Sequence, residues 1–89
     1  MYVLVTIEDD GWASQTEIQG VYSTFELARE NFEKTLTRFM EDYDVKGKEE
    51  LEDLQLDFAA YYDSQGTWFK VYFDNICLDK EVYVWTIIL

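Results

Sequence analysis

The stretch Lys48-Glu49-Glu50-Leu51-Glu52-Asp53-Leu54-Gln55-Leu56-Asp57-Phe58-Ala59-Ala60-Tyr61-Tyr62-Asp63-Ser64-Gln65-Gly66 decides how this chain folds, because it supports two readings. From Lys48 to Ser64 there is no Gly, Pro or β-branched residue, and Leu51, Leu54, Phe58 and Tyr62 fall on one helical stripe. The same residues also alternate. Leu54, Leu56, Phe58, Ala60 and Tyr62 would line one face of a strand, paired to residues 67–74 through Ser64-Gln65-Gly66. The unbroken helix propensity favours a helix over 48–63, with Gly66 beyond its end as the stop. On such a helix Glu49, Asp53 and Asp57 form a ladder of carboxylates about 6 Å apart along the axis. Leu56 lies beside that ladder and Tyr61 at its flank.

Upstream, the pattern is firmer. Phe25, Ala28, Phe32, Leu36, Phe39, Met40 and Tyr43 make one apolar stripe, with Glu30, Lys34, Thr37, Arg38 and Glu41 opposite. Glu30 and Lys34 are an i,i+4 pair in the favourable order. Ser23-Thr24-Phe25-Glu26 reads as a capping box with Ser23 as the cap, so a helix is expected over 24–42. Residues 2–8 alternate Tyr/Leu/Thr/Glu against Val/Val/Ile, the signature of a half-buried strand. Asp10-Gly11 reads as a two-residue hairpin turn, returning the chain through Trp12 to Tyr22.

Downstream, residues 67–73 and 82–88 are rich in β-formers, separated by Asp79-Lys80-Glu81. The expected order is therefore β-β-α-α-β-β within a single domain spanning 1–89. This is an α+β two-layer sandwich: an antiparallel four-stranded sheet with two helices on one face. The apolar strand 82–88 belongs in the middle of that sheet, since an exposed edge of its composition invites aggregation.

Composition excludes several functions. The 89 residues carry 7 Lys plus Arg against 19 Asp plus Glu, a formal net charge of −12. Nucleic acid and anionic membranes reward Lys and Arg, so neither is expected as a direct partner. The absence of His removes Ser-His and Cys-His catalytic pairs and His-ligated zinc. One cysteine, Cys77, excludes an internal disulfide and reads as a small buried hydrophobe. The first residues lack the basic region of a signal peptide, and no run reaches the roughly 18 apolar residues of a membrane span. A cytoplasmic protein without enzymatic activity or cofactor is expected.

Residues 42–53 invite comparison with a calcium loop, because Asp42, Asp44, Gly47 and Asp53 match four of its positions. Lys46 stands where a further oxygen ligand belongs, Glu49 replaces an apolar residue, and Asp53 is shorter than the usual bidentate Glu. No metal site is expected, and a degenerate calcium module remains only as an alternative. The acids are unevenly placed: eight of the 19 lie between residues 41 and 57. We expect Glu49, Glu50, Asp53 and Asp57, with Leu56 as the apolar contact, to form a protein interface. A second acidic cluster, Glu8-Asp9-Asp10, stands beside Trp12 at the hairpin tip. An exposed Trp12 among Asp9 and Asp10 would be an interface anchor, whereas a buried one would be core.

The stretch Tyr2-Val3-Leu4-Val5 with Gly20-Val21-Tyr22-Ser23-Thr24-Phe25-Glu26-Leu27-Ala28 resembles small uncharacterised bacterial and phage proteins whose strand hairpin ends in "GVYST-x-E-x-A". By type the chain is also similar to small acidic anti-CRISPR and anti-defence phage proteins, several of which mimic DNA. That likeness implies a phage or mobile-element inhibitor that occupies the basic nucleic-acid channel of a host defence nuclease. The alternatives are an immunity protein or antitoxin capping a basic toxin nuclease, and a structural subunit that associates with copies of itself.

Overall fold

In the computed structural model, residues 1–55 and 76 with the span 58–75 between them are described. The elements are β1 (Tyr2–Asp9), β2 (Ser14–Tyr22), α1 (Phe25–Asp42), a 3-10 turn (Lys48–Glu50), β3 (Asp53–Gln55), β4 (Ala59–Ser64) and β5 (Thr67–Asn75). The strands form one antiparallel sheet in the order β2-β1-β5-β4-β3, and α1 packs on one face. The α+β class stands, but the expected four strands and two helices are corrected to five strands and one helix among the described residues. The strand expected over 82–88, Cys77, Leu56 and Asp57 lie outside those residues.

Residues 48–63 turn into a 3-10 turn and two strands where a helix was expected. The alternation reading wins because it yields partners. Tyr62 stacks on Phe69 at 5.6 Å, Tyr61 meets Trp68 at 5.7 Å, and Ala60 is buried opposite Val71. Such aromatic pairs contribute about 0.5–1.5 kcal/mol each beyond their buried area. Helix propensity differs among ordinary residues by at most about 0.7 kcal/mol per position, and a carboxylate ladder subtracts from it. Gly66, expected as a helix stop, is instead the second residue of a tight hairpin. Gln65 at φ 55° and Gly66 at φ 87° join Ser64 to Thr67 with the right-handed twist that neighbouring strands require.

Helix α1 matches its expected span, and Ala28, Phe32, Leu36 and Phe39 are buried as the stripe requires. Its cap is one residue later than expected. The Thr24 hydroxyl, not that of Ser23, accepts from the Leu27 amide at 3.2 Å. At the other end the Val45 amide reaches the Met40 carbonyl at 2.8 Å and the Asp44 amide reaches Glu41 at 3.2 Å. This is a Schellman closure, with Val45 buried in the same core cluster that Met40 packs against.

Strand β1 is central, not half-buried. Leu4 faces α1 at 1% exposure, while Val3 at 3% and Val5 at 2% face away from it. The first face belongs to the main core, with Phe32, Leu36, Phe69, Val71 and Phe73. The second forms a smaller cluster with Ile76, flanked by Ile7 and Tyr72. The buried Thr6 hydroxyl is satisfied by Gln19 Nε2 at 2.8 Å. Gln19 reaches it because the β1–β2 register slips there, Leu4 facing Gly20 and Val5 facing Ile18.

Candidate acidic interface at the hairpin end

The β1–β2 loop has four residues, Asp10-Gly11-Trp12-Ala13, not the expected two, because Asp9 and Ser14 are the last pair. Its shape is fixed by carboxylates. Asp9 Oδ1 accepts from the Gly11 amide at 2.7 Å and Asp9 Oδ2 from the Ser14 hydroxyl. Asp10 Oδ1 accepts from the amides of Trp12 at 2.9 Å and Ala13 at 3.0 Å. These amide bonds favour the ionised form and hold the Asp10 carboxyl below the usual carboxylate range. Around this frame the chain runs Asp10, Gly11 at φ 92° and then Trp12, whose side chain projects into solvent at 96% exposure. Here Trp12 meets the criterion for an anchor and fails the one for core.

Two further elements converge on this end. Gly11 lies against the second hairpin, the place of its missing Cβ only 3.7 Å from the Gly66 carbonyl oxygen. That hairpin brings Asp63, which accepts from the Gly66 amide at 3.3 Å, and Trp68, which stands between Asp9 and Asp63 in one cross-strand row. The C-terminal end of α1 arrives from the other side. Tyr43 packs on Phe69 at 4.9 Å and donates its phenolic proton to Glu8 Oε1 at 3.4 Å. Burial and then Glu8, Asp10 and Asp42 push the Tyr43 phenol up, so the site is electrically negative where it is partly shielded from water. No basic residue occupies the last turn of α1, and the negative end of the helix dipole adds to the same field. Lys34, Lys46 and Lys48 pair elsewhere, with Glu30, Asp44 and Glu33.

Between the loop and the helix end, Glu8, Asp10, Ala13, Gln15 and Tyr43 line a cleft of about 200 Å³. Sequence reading named Glu8 only as part of a turn cluster and Tyr43 only as a stripe residue. Strand parity held the missing signal: in β1, Glu8 must face the helix that ends at Tyr43, opposite to Asp9.

The other expected interface is not assembled as expected. Glu49 and Asp53 share no helical face, since one lies in the 3-10 turn and the other on the edge strand β3. Glu50 turns inward on its own loop, accepting from the amides of Lys46 and Gly47. The calcium-loop alternative loses its second helix to β3, and the Lys46 ammonium sits on Asp44 at 2.7 Å, within the proposed ligand set. Gly47 is extended at φ −163°, without the sharp turn such a loop needs. Among the described residues no three His, Cys, Asp or Glu side chains converge as metal ligands, and no helix is long and apolar enough to cross a membrane. No family model, curated protein or solved structure matches this chain.

Proposed function

We propose that this chain is a non-enzymatic binding protein that docks the acidic hairpin end on a basic nucleic-acid-binding protein. Within that class the target is the channel of a host defence nuclease in the cytoplasm, and the protein is an inhibitor of phage or mobile-element type. One observation carries the reading: Trp12 is 96% exposed on a loop that carboxylates hold rigid. An indole in water gives up the hydrophobic gain of burial, about 25 cal/mol per Å² of apolar surface. Trp is among the residues that most often anchor interfaces. The surrounding acids supply electrostatic steering towards a basic groove, and the indole supplies the contact that holds it.

The experiment is a capture from bacterial extract at low salt with the immobilised protein, alongside Trp12→Ala. A nucleic-acid-binding protein retained by the native chain, released by salt and by duplex DNA, and lost with Trp12→Ala is the expected result. Retention that ignores both salt and Trp12→Ala, or no retained nucleic-acid-binding protein, overturns the proposal.

A further inference from the structure

The cleft beside Trp12 specifies more than a basic partner. At about 200 Å³ it is smaller than the roughly 300–1,000 Å³ of small-molecule sites, and fits one side chain. Its polar lining offers Glu8 from β1, Asp10 from the loop, Gln15 from β2 and the Tyr43 phenol. Asp10 uses Oδ1 for its two loop bonds, and Oδ2 takes part in neither. Glu8 uses Oε1 for the Tyr43 contact, and Oε2 takes no part in it. Trp12 lies in the loop between two of the lining residues, Asp10 and Ala13.

We infer that this cleft receives an arginine side chain of the partner, its guanidinium between the Glu8 and Asp10 carboxylates and its flat face against the Trp12 indole. The inference rests on the docking proposed above and names the chemistry that docking recognises. A lysine ammonium is a compact, strongly hydrated charge that loses water on entering a narrow cleft. A guanidinium is planar, less strongly hydrated, carries five donors, and stacks on aromatic rings. Two carboxylates set on different parts of one hairpin, with an aromatic face beside them, match the second ion better than the first.

The test compares hexaarginine with hexalysine, equal in charge, by calorimetry at low salt, with NMR locating the contact. The native chain should bind hexaarginine about tenfold more tightly, with shifts concentrated at the Trp12 indole, Gln15 and Tyr43. Glu8→Gln keeps the shape of the cleft and should bring the two peptides to within about twofold. Trp12→Phe retains an aromatic face and should keep part of the preference, which separates stacking from unfolding. Equal affinities in the native chain, or a preference unchanged by Glu8→Gln, overturn the arginine assignment while salt-sensitive binding of both peptides leaves the basic-partner proposal standing. Binding of neither peptide removes the arginine assignment and the basic-partner proposal together.

Discussion

Asp44 follows the last turn of α1 in the left-handed region, at φ 57°. Its place in the Schellman closure is one that glycine fills most often, because a side chain there crowds the backbone. Asp tolerates the conformation better than most, and its ion pair to Lys46 is exposed on both sides. Exposed pairs contribute little in water, so Asp44→Gly should raise stability by about 0.5 kcal/mol, read by urea denaturation. Asp10 gives a second prediction at this scale. Its folded pKa is depressed, so its contribution is complete above the unfolded value near about pH 4 and disappears as pH falls through the lower folded value. A carboxyl-resolved NMR titration should place Asp10 below a free aspartate. Asp10→Ala should remove that acid-limb contribution, whereas Asp10→Asn keeps an oxygen for the two amides and should retain the loop.

The β4–β5 hairpin shows what was legible at the scale of elements. Its turn residues, Gln65 and Gly66, both have positive φ, and a Cβ on Gly66 would meet nothing within 4 Å. The whole cost of Gly66→Ala is therefore backbone strain, and thermal unfolding should show a loss of about 1 kcal/mol. Gln65→Asn should gain about 0.5 kcal/mol, since Asn enters the left-handed region more easily. Helix α1 could be read directly because its stripe, its favourable ion pair and a nearby capping residue agree. The segment after it could not, because local propensity and pairing point in opposite directions. Ala60 and Tyr62 satisfy either period, and only the ladder with β5, which sequence does not display, decides between them. The acidic site was half visible for the same reason. Trp12 and Asp10 are neighbours in sequence, while Glu8 and Tyr43 are joined by the packing of α1 on the sheet.

At the scale of the molecule, a charge of −12 is a self-repulsion that salt relieves, and a field that salt weakens. Raising salt should therefore increase the melting temperature while loosening any basic partner. Asp42 allows the two roles to be separated in one substitution. It lies in the last turn of α1, where a cation is worth about 0.3–1 kcal/mol and an anion is unfavourable. Asp42→Lys should thus stabilise the fold. It should also weaken hexaarginine binding several-fold, since Asp42 is one of the carboxylates whose field reaches Tyr43 in the cleft. Glu26→Lys makes the same change in net charge in the first turn of α1. There it lies about 24 Å along the axis from Asp42, more than twice the roughly 10 Å screening length at 0.1 M salt. It should lower stability and leave peptide binding nearly unchanged. If the acids serve only to keep the chain in solution, both variants weaken the peptide equally. If the hairpin end is the binding surface, Asp42→Lys gains stability and loses affinity, and Glu26→Lys does neither.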